Sequence, residues 1–181
     1  SGRLVALDAL RGTVLWDLPM STPRGSNEVE RLADLVGPPV RHADRLCARA
    51  FQNAVGCVDL AKTTVLWTRN SGGYSAVGGN AEQLFGGDAV DRLTAWNAAT
   101  GEILWTNEKL RYRGLSGAIA VGASAVFGDS EGQVHFLSAA DGQLQLRLPT
   151  DGKPVVGTPA LSGNTLLVST RGGGLFAFRP N

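Results

Sequence analysis

The sequence has little net charge, few histidines and cysteines, and no long apolar run. Its 181 residues carry 17 basic and 16 acidic side chains, two histidines and two cysteines. This balance argues against a main role in nucleic-acid binding, because phosphates are usually matched by a basic excess. Stretches without a charge, such as residues 114–128, are interrupted by glycine and serine and are too short to cross a bilayer. We therefore expect neither a nucleic-acid partner nor a membrane-spanning helix.

Patterns for catalysis, metal binding and cofactor binding are missing as well. His42 and His135 lie far apart in the sequence without a cluster of cysteine or acidic partners, whereas a metal site needs several convergent donors. There is no nucleophile elbow, no phosphate-binding loop with lysine and no paired-carboxylate motif. Asp129 and Glu131 flank Ser130 between glycines, where a hairpin turn is favoured over a calcium site. We expect no enzyme activity, no catalytic residue, no metal and no cofactor.

Glycine, in contrast, is abundant. The 24 glycines are about 13% of the chain, against a usual share of roughly 7%. They separate short runs rich in valine, leucine, alanine and phenylalanine, which is typical of many strands joined by tight turns.

The chain also repeats itself. Four segments share a turn-forming motif that ends in tryptophan or leucine, and a fifth is cut short: residues 6–16, 57–67, 95–105, 136–146 and 177–181. A period near 40 residues fits one four-stranded blade of a β-propeller. Counting strands gives two from an N-terminal part-blade, twelve from three complete blades and three from a C-terminal part-blade. We predict an all-β arc of about four propeller blades, cut from a larger ring.

The repeat also sets the expected boundaries. We predict blade parts over residues 1–20, 39–70, 73–109, 114–149 and 155–181, with an inter-blade insertion at 21–38. In the third unit the strands are predicted near 74–79, 82–87, 92–97 and 102–107.

Within each repeat, polar and glycine residues predict the turn before the last strand. Asp8, Asp59 and Asn97 can each bond the following backbone amides. Gly12, Gly101 and Gly142 supply a positive φ. Thr63 replaces that glycine in the second copy, so we expect a different turn there.

The pattern Ala-x-Asp-x-x-x-Gly-x-x-x-Trp resembles the tryptophan-docking repeat of the eight-bladed quinoprotein-like propellers, the PQQ-like repeat. In that family the tryptophan packs between neighbouring blades. Trp16, Trp67 and Trp105 match the pattern. Leu146 departs from it, so we expect a weaker junction there.

A narrower resemblance covers almost the whole chain. Residues 2–8, 24–34, 58–60 and 128–132 are similar to the C-terminal half of the BamB family, the propeller lipoproteins of the β-barrel assembly machinery. The string Arg-Gly-Ser-x-Glu-x-x-Arg-Leu-x-Asp at 24–34 is the most specific match. The resemblance implies a non-catalytic scaffold at the periplasmic face of the Gram-negative outer membrane. Its implied partners are the POTRA domains of BamA and nascent outer-membrane proteins, and a lipid anchor absent from this fragment would supply the membrane attachment.

The insertion is where that resemblance would place the partner. We predict a short helix over 26–36, because Asn27 and Glu30 have the spacing of a capping box and apolar residues recur on one face. By resemblance the stretch lies near the surface that meets BamA, and the candidate partner-binding residues are Glu28, Arg31 and Asp34. The alternative is a solvated surface loop.

The two cysteines fall on consecutive strands. Cys47 and Cys57 should lie opposite each other across a hairpin that turns near residues 52–53. Two buried free thiols are favoured, because directly opposed Cβ atoms are somewhat far apart for a disulfide. An oxidising periplasm would permit the bridge, which is the alternative.

Two other functions remain open. A quinoprotein-type dehydrogenase domain shares the fold, although the adjacent cysteines often found there are missing. The sensor propeller of a bacterial receptor kinase is the second. An arc with uncovered end blades is also expected to self-associate, as a dimer of two half-rings.

Overall fold

The computed structural model describes residues 2–20 and 34–180, and this part of the chain is built from strands and turns without an α-helix. Its 17 strands form five sheets: β1 (Arg3–Leu7) and β2 (Val14–Pro19) in blade 1; β3 (Leu35–His42), β4 (Arg45–Ala50), β5 (Ala54–Asp59) and β6 (Thr64–Asn70) in blade 2; β7 (Gly78–Gly79), β8 (Gln83–Gly87), β9 (Leu93–Asn97) and β10 (Ile103–Asn107) in blade 3; β11 (Ile119–Val121), β12 (Ser124–Gly128), β13 (Gln133–Ser138) and β14 (Leu144–Pro149) in blade 4; and β15 (Ala160–Ser162), β16 (Thr165–Ser169) and β17 (Leu175–Phe178) in blade 5.

Each sheet is an antiparallel meander whose neighbours follow sequence order. The predicted propeller blades and their strand count are therefore confirmed for the described residues. In blade 3 the predicted strands match within one residue, except that the first is reduced to Gly78–Gly79. No helix long and apolar enough to span a bilayer occurs among residues 2–20 and 34–180.

The meander sorts its connections onto two faces. Turns between second and third strands, and links between blades, lie at one end of the strands. We name this the connector face, and in the described chain it comprises residues 51–53, 71–77, 88–92, 108–118, 129–132, 150–159 and 170–174. The hairpins that join first to second and third to fourth strands lie at the other end, which we name the hairpin face.

Strand register shows that the repeats are structurally equivalent. The last residue of each motif pairs with the third strand of its blade: Trp16 with Ala6, Trp67 with Cys57, Trp105 with Ala95 and Leu146 with Phe136. A register shift follows each of these pairs, where one residue of the fourth strand is left over. This β-bulge re-aims the side chain that follows it, so the four motif residues point the same way.

Two of the tryptophans dock on the next blade as the motif predicts. The Nε1 of Trp67 donates to the carbonyl of Ala98 at 2.9 Å, and the Nε1 of Trp105 donates to that of Ala139 at 2.8 Å. Both rings are buried. A Cβ on Gly101 would lie 2.5 Å from the ring of Trp67, so the turn needs glycine for ring contact as well as for its φ of +71°.

The other two junctions differ. Thr63 has a φ of +53°, in the same region as the glycines, so the expected difference of this turn does not include the backbone conformation at Thr63. Thr63 does bring a Cβ to the position where Gly101 and Gly142 offer only a Cα to the tryptophan of the preceding repeat. The tryptophan of the repeat before Thr63 is Trp16, and it is only partly buried. Leu146 is 48% exposed.

The hydrophobic core is a series of layers between neighbouring blades. The layer between blades 2 and 3 contains Val55, Trp67, Leu84 and Trp96. The layer between blades 3 and 4 is built around Phe85, Trp105, Phe127 and Leu137. Each blade face is therefore buried only where a neighbour covers it.

The cysteines correct one expectation. Cys47 and Cys57 do pair directly across β4 and β5, but they form a disulfide rather than two free thiols. Their Cα atoms are 4.0 Å apart, which is closer than the roughly 4.5 Å of an ordinary non-hydrogen-bonded pair. The general spacing that favoured free thiols therefore does not apply here.

The end of the predicted helix is a second correction. Leu35 and Val36 belong to β3, where they pair with Ala50 and Arg49 of β4. Residues 37–39 lie within the irregular part of that strand instead of ending a helix. The predicted insertion therefore stops before Leu35, because pairing with β4 extends the strand. Residues 21–33 lie outside the described part of the chain.

Candidate functional site

The connector face carries exposed aromatic side chains. Phe51, Tyr74 and Tyr112 are 41%, 55% and 74% exposed. The rings of Phe51 and Tyr74 meet edge to face with centroids 5.7 Å apart. The guanidinium of Arg111 lies 5.2 Å from the centroid of Tyr112. Aromatic residues and arginine are the types enriched at protein interfaces, so this surface is the candidate functional site.

Backbone hydrogen bonds hold these side chains on one framework. The amide of Phe51 donates to the carbonyl of Asp34 at 2.6 Å, and the amide of Gln52 donates to that of Gly73 at 3.1 Å. The amide of Tyr112 donates to the carbonyl of Val90, also at 3.1 Å. Each inter-blade link is therefore fastened to a neighbouring turn, which presents the aromatic residues from a fixed scaffold.

Of the three candidate partner-binding residues, the structure describes Asp34. It is exposed, immediately precedes β3 and is joined to the aromatic surface through Phe51. Glu28 and Arg31 lie outside the described residues.

Charged pairs lie beside the aromatic residues. Glu108 forms two ion pairs: its Oε1 lies 2.8 Å from the Nε of Arg92, and its Oε2 lies 3.3 Å from the Nη1 of Arg111. The carboxylate of Asp91 accepts from the amides of Gly114 and Leu115 at 2.8 and 3.1 Å, which fixes the link between blades 3 and 4. Sequence reasoning did not single out these residues, because each charge looks unremarkable without its spatial partners.

Asp129 forms the predicted hairpin turn and also anchors a buried ionic network. Its Oδ1 accepts from the amides of Glu131 and Gln133, both at 2.9 Å. Its Oδ2 accepts from the Nε of Arg113 and the Nε2 of His135, both at 2.7 Å. Burial acts to raise the pKa of Asp129, but the bonds from His135, Gln133 and Arg113 outweigh it and hold that pKa below its usual value.

His135 has no exposed surface and uses both ring nitrogens. The Nε of Arg147 donates to its Nδ1 at 3.1 Å, so the proton of the neutral ring lies on Nε2 and is donated to Asp129. Burial lowers the pKa of His135 despite the attraction of Asp129. Among residues 2–20 and 34–180, no cluster of three or more histidine, cysteine or acidic side chains could hold a metal ion.

Arg49 is a buried charge that the sequence analysis missed. It lies in β4 between two alanines and has no exposed surface. Its Nη1 donates to the carbonyl of Ser71 at 3.3 Å, while Nε and Nη2 have no partner. Burial lowers its pKa to about 10, partly offset by Asp88. An arginine between two alanines, following the apolar Leu46 and Cys47, was the signal available in the sequence.

Comparison with known proteins gives a consistent result. A family model described as outer membrane protein assembly factor BamB matches residues 1–107. The assembly factor BamB of Burkholderia pseudomallei is 40% identical over 99% of this chain and 47% of its own length. That of Bordetella pertussis is 34% identical over the same shares. The chain thus spans about half the length of these relatives.

Solved structures agree. The crystal structure of BamB from Moraxella catarrhalis matches with a TM-score of 0.90 and 26% identity, over 98% of this chain and 53% of that one. The computationally designed Ika4 protein shares the fold alone, with a TM-score of 0.68 and 14% identity over 82% of this chain and 92% of that one. The fold, the repeat register and these matches together place the chain in the family of outer membrane protein assembly factor BamB.

Proposed function

We propose that this chain is part of a non-catalytic scaffold at the periplasmic face of the outer membrane, where it docks on the POTRA domains of BamA and assists the insertion of outer-membrane proteins. The relatives are named as outer membrane protein assembly factors, which supports a role in that machinery. The observation that carries the docking proposal is the exposed aromatic surface of the connector face, formed by Phe51, Tyr74 and Tyr112.

The composition of this surface suits a protein partner. Large aromatic side chains can fill pockets of a partner at little entropic cost and often carry most of an interface's binding energy. The charges of Arg92, Glu108 and Arg111 lie beside them and would set register and on-rate more than affinity.

The end of the insertion adjoins the same surface. Because Phe51 is bonded to Asp34, we propose that Glu28, Arg31 and Asp34 extend the docking area from its edge. Exposed charges of this kind contribute modestly, so their loss should matter less than the loss of a central aromatic residue.

Isothermal titration calorimetry with purified POTRA domains tests the proposal. Tyr112→Ala should weaken binding by tenfold or more, as expected for an interface anchor. The double reversal Arg31→Glu with Asp34→Arg should weaken it by a smaller factor. Lys62→Ala, on the exposed hairpin face, is the matched control and should bind like wild type.

Circular dichroism should show the same fold for all variants. Wild-type affinity in both the Tyr112 variant and the double reversal would reject the connector face as the docking surface. It would leave the family assignment intact, because that rests on other residues.

Self-association is a separate proposal. Blades 1 and 5 expose apolar side chains, among them Val14, Leu15 and Leu175, and such surfaces recruit partners. We expect light scattering at several concentrations to show a mass of two chains. A constant mass of 18.9 kDa would show that the chain remains monomeric.

A further inference from the structure

A pocket of about 480 Å³ opens on the connector face where four blades meet. Its size is within the range of about 300–1,000 Å³ that is common for ligand sites. Blades 2 to 5 and the links before them each supply a wall, through residues 36–38, 74–76, 115–117 and 155–158, and Arg171 completes the lining.

Hydrogen bonds between blades hold these walls in place. The Oγ of Ser75 donates to the carbonyl of Leu115 at 2.8 Å, which joins the link before blade 3 to the link before blade 4. The amide of Gly117 donates to the carbonyl of Gly157 at 3.2 Å, which joins the links before blades 4 and 5. The pocket is therefore already formed in the folded chain, and no segment has to move aside to open it.

The inside of the pocket is mostly apolar. Aliphatic side chains and a proline line it: Val36, Pro38, Ala76, Leu115, Val155 and Val156. The hydroxyl groups of Ser75 and Ser116 donate to backbone carbonyls, so they do not need a polar ligand as a partner. Because burial of apolar surface is favourable, an apolar side chain suits this lining.

Arg171 gives the rim of the pocket a positive charge. It is exposed, and it is the charged residue among those that line the pocket. Its amide donates to the carbonyl of Pro154 at 2.8 Å, which fixes its backbone. Within residues 2–20 and 34–180, no carboxylate forms an ion pair with it. An apolar interior with a cation at its entrance complements an apolar side chain that lies beside a carboxylate.

The pocket is continuous with the aromatic docking surface. Tyr74 lines the pocket and is also in edge-to-face contact with Phe51. A partner that covers these two rings therefore reaches the pocket entrance. This continuity identifies the docking partner as the occupant.

We propose that the docking partner inserts an apolar side chain into this pocket and pairs a neighbouring carboxylate side chain with Arg171. The proposal deepens the docking function above and rests on it for the identity of the partner. It assigns the apolar lining to affinity, and it assigns Arg171 to the choice of segments in which an acidic residue adjoins the apolar one.

Titration of the chain with blocked peptides tests the pocket without the partner. The probes are acetyl-Ala-Leu-Glu-Ala-amide, its glutamine counterpart and a version with serine in place of leucine. The readout is the NMR amide signals of Gly117 and Gly157, which line the pocket. The Leu-Glu peptide should shift both signals. Replacing its leucine should weaken binding about tenfold, and replacing its glutamate about threefold, because Arg171 is exposed.

A charge reversal separates a binding role from a structural one. Arg171→Glu should bind acetyl-Ala-Leu-Lys-Ala-amide more tightly than the glutamate peptide, opposite to wild type. Arg11→Glu changes an exposed arginine of a hairpin-face turn; it is the matched control and should keep the preference for glutamate. Circular dichroism should show the same fold for both variants. A preference for glutamate that persists in Arg171→Glu, or equal affinity of wild type for the three probes, would overturn the proposal.

Two further measurements identify the occupant. Inorganic phosphate that displaces the Leu-Glu peptide at the concentration of the peptide itself would overturn the proposal, in favour of a general anion site. Shifts of the Gly117 and Gly157 signals on raising the protein concentration without peptide would assign the pocket to a second copy of the chain, and they would also overturn it.

Calorimetry with POTRA domains then tests the partner. Arg171→Glu should weaken binding about threefold or more, and Arg11→Glu should bind like wild type. Unchanged affinity in Arg171→Glu would exclude the pocket from the docking surface. Peptide binding that reverses with charge, in a wild-type chain that does not bind POTRA domains, would retain the pocket and reject the docking function, so the two failures are distinguishable.

Discussion

Two sites in this molecule bury charge, and they do so in opposite ways. In blade 4, the buried Asp129 and His135 are bonded to each other and to Arg113 and Arg147. In blade 2, the equally buried Arg49 has one hydrogen bond and two nitrogens without a partner. Both sites lie near the connector face, so their difference does not come from their place in the fold.

The difference indicates different roles. A buried charge is costly unless it is paired and hydrogen-bonded. The network of Asp129 meets that condition within the chain and therefore supports the structure of blade 4. Arg49 does not meet it, so we expect the folded state to be less stable with this charge than with an apolar side chain of similar length.

The largest expected loss of stability comes from removing a buried tryptophan. Trp105→Ala removes a buried ring that donates to Ala139 and stacks near Phe85, and it should cost about 3–5 kcal/mol of unfolding free energy. Leu146→Ala is the matched control, because Leu146 occupies the equivalent register position but is half exposed. Urea unfolding measures both. Equal losses at the two positions would contradict the docking role of Trp105.

The next effect concerns the paired site. Asp129→Asn keeps the shape of the side chain but removes its charge beside Arg113 and its acceptor for His135. Breaking one partner of a buried ionic network should cost about 3 kcal/mol. Glu131→Gln, which changes an exposed carboxylate bonded to the same arginine, should cost far less. Similar losses for the two variants would show that burial of Asp129 is energetically unimportant.

The smallest effect is the pH dependence of the paired site. The pKa of His135 is lowered from 6.5 by burial, so below pH 6.5 the unfolded chain binds a proton that the folded chain does not. Stability should therefore fall as the pH decreases from 6.5 towards the folded pKa. Asp129, whose pKa is also lowered, loses its contribution only at more acidic pH.

Thermal melts between pH 7.5 and 5 check this sign. His135→Gln should show a weaker loss of melting temperature on acidification than wild type. A parallel decline of the two proteins would mean that His135 does not control stability in this range.

The sequence predicted what the repeat controls. The repeat spacing predicted the strand count, the turn role of Asn97 and the docking of Trp67, because each blade packs against its neighbour in the same way. Asp129 was predicted as a turn residue, but its bonds to Arg113 and His135 depend on folding and could not be read from the sequence. The free-thiol expectation failed because the approach of β4 and β5 is set locally.

The surroundings of Arg49 could not be predicted from the sequence. They depend on how closely blades 2 and 3 approach and on two glycines from different segments, Gly73 and Gly86. The pattern of a single strand gives no measure of that distance. The candidate residue Asp34 was found only by resemblance, and its part in docking stays a prediction.

The unfolding free energy of Arg49→Met at neutral pH tests the central comparison most directly. If the two unpaired nitrogens leave the burial of Arg49 uncompensated, the apolar replacement should be more stable than wild type by about 1–3 kcal/mol, opposite in sign to Asp129→Asn. A variant less stable than wild type would show that Arg49 supports the fold as Asp129 does, and it would contradict the account.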